Sequence, residues 1–174
     1  AKEWGEPDNM VGTGRRNSHL LSVAPNTSSA LICGGVSQGI EPVVANVYNQ
    51  PTAGGEIYRV NPVFLKLATG RVGWTDELKQ SIINNNGSVQ HLEWLTDHEK
   101  EVFKTAYETN QSTLVRLAAT RQPEICQAQS LNFFFDADAP EEYISQVHKE
   151  AFLNENIKSL YYMRTKAGVQ ASSG

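Results

Sequence analysis

Two short stretches carry side chains whose types and spacing could do chemistry. The first is Pro25-Asn26-Thr27-Ser28-Ser29, where a proline ends an extended apolar run and four small polar residues lead into Ala30-Leu31-Ile32, which favours helix. The opening N–H groups of a helix have no intrahelical acceptor, so they and the Thr27, Ser28 and Ser29 hydroxyls would face whatever stands in front. An anion such as a phosphate gains hydrogen bonds and a favourable helix dipole there, and no lysine is required. The same residues would also serve as an ordinary helix cap, and the local sequence leaves both readings open. The second stretch is Leu160-Tyr161-Tyr162-Met163, which sets two phenols side by side. Adjacent strand residues point to opposite faces, so a stacked pair needs a local irregularity or a helical turn; otherwise one ring faces the core and the other the rim.

The other reactive side chains point to no site. Cys33 and Cys126 lie far apart, without a CxxC motif or a nearby histidine cluster, so neither zinc nor a dithiol is indicated and both are expected to be buried thiols. His19, His91, His98 and His148 are scattered among polar neighbours, which suits surface or capping roles. Glu41 could be a catalytic carboxylate, but a lone Glu before Pro42 is expected at the surface or in a turn. No metal-binding and no cofactor-binding residues are expected.

The elements that must position these groups read as α/β. Residues 19–24 are small or branched and nearly all apolar, the pattern of a strand buried on both faces in a parallel sheet. Strand, tight turn and helix N-terminus is how α/β proteins hold ligands at the carboxyl ends of strands, and that context favours the anion reading. Gly34, Gly35 and Gly39 stop the first helix early, and residues 43–48 and 56–60 around Gly54-Gly55 predict a hairpin projecting from the main sheet. Asn61-Pro62 predicts a capped helix ending at Gly70, and a second runs from Thr75-Asp76 into the polar stop Asn84-Asn85-Asn86-Gly87. Thr96 and Glu99 form a capping box, with Val102, Phe103, Ala106 and Tyr107 following at helical spacing. A further helix is expected over 111–121, closed by Pro123. Residues 129–135 read as a buried strand, and 157–164 as the last strand. Between them, 141–154 is an amphipathic helix with Tyr143, Ile144, Val147, Ala151 and Phe152 along one face.

The totals describe one ordinary domain: 174 residues, 40% hydrophobic and 20% charged. A net charge of −4 without a basic stripe offers nothing to a nucleic acid polymer. No apolar run approaches the ~18 residues needed to span a bilayer, and no signal peptide pattern opens the chain, so a cytoplasmic protein without a membrane partner is expected. Ala1 is not an initiator, and residues 167–174 trail away in small types as the start of a flexible tail, which suggests a piece of something longer.

Taken in order, Arg16-Asn17-Ser18, Ala24-Pro25-Asn26-Thr27-Ser28-Ser29, Ile40-Glu41-Pro42, Val60-Asn61-Pro62, Asn86-Gly87-Ser88, Gln129-Ser130-Leu131-Asn132 and Leu160-Tyr161-Tyr162-Met163-Arg164-Thr165 resemble the large, catalytic subunit of class I ribonucleoside-diphosphate reductase. The match covers essentially the whole chain, and its wording is similar to virus-encoded versions. The resemblance implies that residues 1–174 are the C-terminal part of a ten-stranded α/β barrel. It implies an oxidoreductase that reduces ribonucleoside diphosphates to 2'-deoxyribonucleotides by radical chemistry, in the service of DNA replication.

On the same resemblance, Pro25, Asn26, Thr27, Ser28 and Ser29 hold the substrate diphosphate, and Tyr161 and Tyr162 transfer the radical. Tyr161 would lie next to the cysteine that becomes the thiyl radical, and Tyr162 would face the small subunit. The chain itself would hold no cofactor; the radical would come from a metal-containing small subunit, and an external thiol reductant such as thioredoxin or glutaredoxin would serve the holoenzyme. Implied partners are the ribonucleoside diphosphate, the remainder of the large subunit and the small radical-generating subunit, whose tail peptide is expected near the apolar stripe of 141–154. The location would be cytoplasmic, in the host if virus-encoded. The family's thiyl cysteine, with its Asn and Glu partners, and its first redox cysteine belong upstream, its C-terminal cysteine pair downstream, and its allosteric cone near the N-terminus. Neither Cys33 nor Cys126 takes a catalytic role, and the chain is expected to be an excerpt or one half of a split enzyme, inactive alone. The competing reading is a non-catalytic phosphate-binding or assembly module that keeps the barrel scaffold.

Overall fold

The computed structural model describes residues 1–34, 36–52 and 55–166; the tail expected over 167–174 lies outside the described residues. Its elements are α1 (Thr27–Ile32), β1 (Val47–Thr52), β2 (Gly55–Val60), α2 (Pro62–Arg71), α3 (Asp76–Asn84), α4 (Asp97–Val102), α5 (Gln111–Arg121), β3 (Phe133–Phe135), α6 (Glu141–Leu153) and β4 (Met163–Thr165). Short 3₁₀ turns lie at Asp8–Met10, Ala106–Glu108 and Gln122–Glu124. β1 and β2 form the expected antiparallel hairpin, with Val47 opposite Val60, but its first strand is Val47–Thr52 and not 43–48. β3 and β4 run parallel, Phe133 opposite Met163 and Phe135 opposite Thr165.

The helix ends follow their capping residues. Asn61 accepts from the N–H groups of Val63 and Phe64, Thr75 from Leu78, and Asn110 from Ser112. Thr96 and Glu99 exchange both bonds of the capping box. α4 nevertheless stops at Val102, and the expected continuation through Ala106 and Tyr107 is a separate turn. There the Glu108 carboxylate accepts from the Thr105 N–H, a side-chain bond that restarts the helical path instead of extending it. After α3 the chain turns left-handed at Asn86 and Gly87; a Cβ at Gly87 would overlap Ala45, so glycine is required where these segments cross.

The strand expectations contract. Residues 19–24 form no strand: they run alongside 127–130 through Gln127 N–H to Leu21 O and Ser130 N–H to Val23 O, with one isolated bridge between Val23 and Gln129. Leu20 is 76% exposed and Leu21 56%, so the doubly buried strand read from their apolar character is corrected. An apolar run is buried only where layers cover both faces, and here residues 127–130 supply one edge. The strand expected over 129–135 shrinks to β3, because the pairing of Phe133 with Met163 does not continue in step: the Tyr161 N–H, not that of Tyr162, takes Leu131 O. The 157–164 strand shrinks to β4.

Two apolar clusters hold the chain together. Phe64, fully buried, packs edge-on against Phe103 and Trp74 among residues of α2, α3 and the hairpin base. Leu114, Val115 and Ala118 of α5 pack with Val147 and Ala151 of α6 against Phe133 and Phe135. Of the apolar face of α6, Val147 and Ala151 are buried in this core, while Phe152 is 75% exposed. Buried amides bridge the elements: Gln111 donates to Ala106 O and Thr109 O and accepts from the Phe134 N–H, satisfying the middle of β3. Among the described residues, no helix is long and apolar enough to cross a membrane.

Candidate functional site

The 25–29 turn is built from backbone that α1 leaves unused. Ala30 N–H makes the first helical bond, to Asn26 O. The amides of Thr27, Ser28 and Ser29 precede it and have no intrahelical acceptor. Asn26 makes no side-chain cap; its amide donates to Ala24 O at 3.1 Å instead. The segment after α1 returns beneath the turn, where Asn26 N–H donates to Gln38 O and the Thr27 hydroxyl to Gln38 Oε1, each at 2.8 Å. The result is an exposed turn tied to Gln38 through Asn26 and Thr27.

The tyrosines arrive from the other end of the chain. Tyr161 N–H donates to Leu131 O at 2.8 Å and Phe133 N–H to Tyr162 O at 2.9 Å, which stitches the stretch before β4 to the stretch before β3. Tyr161 and Tyr162 precede β4 instead of lying within it, so the alternation of a strand does not separate them. Their ring centroids are 4.1 Å apart, with the planes tilted by 53°. The Tyr161 phenol titrates above its ordinary value, first through its hydrogen bond to Tyr162, then through the Tyr162 charge and burial, with Arg164 opposing. The Arg164 guanidinium sits 5.2 Å over the Tyr162 ring.

All seven residues singled out from the sequence line one open cavity of about 410 Å³. Pro25, Asn26, Thr27, Ser28 and Ser29 supply one part of its wall and Tyr161 and Tyr162 another, and Gln38, Gly39, Ser130 and Asn132 also line it. Among the described residues, Arg164 is the one charged residue that lines it. A larger, more apolar hollow of about 610 Å³ lies between α1 and the hairpin and is lined by Leu31, Val43, Tyr58 and Phe134; of the seven it touches Thr27 alone.

Glu41 is the residue that the sequence misplaces. It is 4% exposed, and its Oε1 accepts from the Asn132 N–H at 2.6 Å and from Asn132 Nδ2 at 3.1 Å. No local pattern announces this, since the donor lies 91 positions downstream. The Oδ1 of Asn132 is buried with no hydrogen-bond partner among the described residues.

The cysteines are corrected in the opposite sense: Cys33 and Cys126 are both free and exposed, because each follows the end of a helical segment in an outward loop. The Leu20 and Leu21 N–H groups beside Cys126 hold its thiol below the usual range. His148 is a packing residue and not a surface one: its ring meets Phe133 and Phe135, and its Nδ1 pairs with Ile144 O at 2.8 Å. His91 pairs with the Ser81 hydroxyl at 2.8 Å, and partial burial together with Lys100 pushes its imidazole down. Among the described residues, no group of three or more His, Cys, Asp or Glu side chains could hold a metal ion.

Comparison with known proteins gives one family. The family model described as "Ribonucleotide reductase, barrel domain" matches residues 1–163. A Frog virus 3 (isolate Goorha) protein assigned as a ribonucleoside-diphosphate reductase large subunit is 46% identical over 97% of this chain and 29% of its own length. The large subunit of Invertebrate iridescent virus 3 is 42% identical over 93% of this chain and 26% of its own length. In solved structures, the Actinobacillus ureae class Id ribonucleotide reductase alpha subunit aligns with a TM-score of 0.80 at 38% identity, covering 96% of this chain and 30% of that one. The chain thus spans under a third of the length of these relatives.

Proposed function

This chain belongs to the ribonucleotide reductase large-subunit family, of whose barrel fold it forms a mixed α/β part, and from that premise we propose its place in the reaction. It supplies the substrate-diphosphate turn and the tyrosine radical-transfer pair of a ribonucleoside-diphosphate reductase. The observation that carries this reading is that the 25–29 turn and the Tyr161–Tyr162 pair line the same cavity.

The diphosphate docks on the free amides of Thr27, Ser28 and Ser29, where hydrogen bonds to an anion are stronger than those between neutral groups. The absence of an Asn26 side-chain cap keeps those amides open to a ligand. The phenols carry the radical. Tyr162 gives one electron and one proton toward the small subunit and becomes a neutral phenoxyl. A hydrogen atom then passes from the Tyr161 O–H to the Tyr162 oxygen. The Tyr161 phenoxyl in turn takes a hydrogen atom from a thiol supplied by the remainder of the large subunit. Each step moves an electron and a proton together, so neither phenol is left holding a separated charge. The remaining partners in this reading are a metal-containing small subunit as source of the radical and an external thiol reductant.

The test is Tyr161→Phe and, separately, Tyr162→Phe in the complete large subunit assembled with its small subunit. Turnover should fall to background while affinity for the ribonucleoside diphosphate changes by less than about threefold. Unchanged turnover would sink the relay and leave a phosphate-binding or assembly module.

A further inference from the structure

We propose that Glu41 is a positioning residue: its buried carboxylate ties the 25–29 turn and the Tyr161–Tyr162 pair together as two walls of one cavity. The proposal deepens the functional reading above and rests on it. The connection runs through hydrogen bonds joined by short stretches of backbone. On one side, the segment that carries Glu41 holds the turn through Gln38, whose carbonyl and side-chain oxygens accept from Asn26 N–H and the Thr27 hydroxyl at 2.8 Å. Within the segment, the Ser37 hydroxyl donates to Glu41 O at 2.5 Å. On the other side, Glu41 Oε1 receives both the N–H and the Nδ2 of Asn132. The residues flanking Asn132 are those bonded to the tyrosines, Leu131 O to Tyr161 N–H and Phe133 N–H to Tyr162 O.

The surroundings of the carboxylate leave little room for another arrangement. A Cβ on Gly39 would stand 2.5 Å from Glu41 Oε2, so glycine is what admits the carboxylate at this point. Pro42 restricts the backbone of Glu41 to extended conformations. Asn132 Oδ1 has no partner among the described residues, so its amide is oriented through Nδ2 alone, to Glu41 at 3.1 Å and to Ser130 O at 3.4 Å. A carboxylate this buried persists only when its bonds are made, and removing it would leave the Asn132 N–H without its acceptor and Nδ2 with Ser130 O alone. Glu41 stands outside the lining of the smaller cavity, so it acts through Asn132 and Gln38 and not on substrate.

The experiment uses the complete large subunit with its small subunit and compares Glu41→Ala, Glu41→Gln and Gly39→Ala by kcat and KM for the ribonucleoside diphosphate. Loss of the tie moves both walls, so Glu41→Ala should raise KM about tenfold and lower kcat about 10²-fold, the scale of an ångström of misplacement. Gly39→Ala, which pushes the carboxylate aside, should do the same. Glu41→Gln keeps an oxygen acceptor and should restore both constants to within about threefold. By contrast, a Ser28→Ala/Ser29→Ala double variant should move KM alone. Folded Glu41→Ala or Gly39→Ala enzyme with both constants unchanged overturns the proposal. A loss in folded Glu41→Gln as deep as in Glu41→Ala overturns it too, since the charge and not the tie would then matter. If Glu41→Ala does not fold, Gly39→Ala and Glu41→Gln decide by the same criteria. Tyr161→Phe, run alongside, separates the two levels: if it stays inactive while the Glu41 variants are normal, the tie fails and the relay stands.

Discussion

At the scale of single residues, the chemistry rests on groups whose neighbours set their properties. The hydroxyls of Ser28 and Ser29 stand on the exposed wall of the cavity, and each bond from such a group to a charged ligand is worth about 1.5–3 kcal/mol. Replacing either with Ala should weaken diphosphate binding by roughly 10- to 100-fold, read by calorimetry on the assembled enzyme. Unchanged affinity would return the turn to a plain structural role. Arg164 opposes the upward shift of Tyr161. Arg164→Gln removes that opposition, so the Tyr161 phenol should ionise at still higher pH, followed by ultraviolet phenolate absorbance against a Tyr161→Phe control. Both stretches were legible in the sequence because proline, small polar side chains and paired phenols act through their own backbone and their immediate neighbours. Glu41 was not, because a carboxylate before a proline looks solvated until Asn132 is brought against it.

At the scale of elements, helix ends were readable and strands were not. Asn61, Thr75, Thr96 and Asn110 cap where their types predict, since a cap bonds within its own first turn. Glu99 adds a tertiary duty: while boxing the start of α4 it takes both Nη atoms of Arg71 at the end of α2, at 2.7 and 2.8 Å. The Arg71 bonds first, and the Thr96 N–H second, hold the Glu99 carboxyl down at about 2, from an ordinary 4.5. A depressed carboxyl stabilises the fold fully above its unfolded value and loses that contribution as pH falls through its folded one. Thermal melts should therefore show an acid-side loss between about pH 4.5 and 2 that Glu99→Gln flattens, with a lower melting temperature at neutral pH for the variant. Parallel slopes for both proteins would remove Glu99 from the acid response. β3 and β4 are shorter than their apolar runs because a parallel pair is as long as its shared ladder, and that ladder loses step where the Tyr161 N–H takes Leu131 O.

At the scale of the molecule, the described residues form two small sheets and leave a set of apolar side chains exposed, among them Leu20, Leu21, Ile32, Phe152 and Leu153. Apolar surface of this kind marks places that other structure covers. The 174-residue chain in isolation should bind a hydrophobic dye, and adding the remaining barrel as a separate polypeptide should quench that signal. A signal that persists would assign these residues to some other interface. By itself, the sequence determined the family, the capped helix starts and the two stretches proposed to carry chemistry, all consequences of motifs and of bonds made within a few residues. Only the tertiary structure decided that the turn and the phenols share one cavity, that Glu41 lies buried between them and that both cysteines face outward. Those outcomes depend on which distant segment packs against each side chain, and no local pattern encodes that.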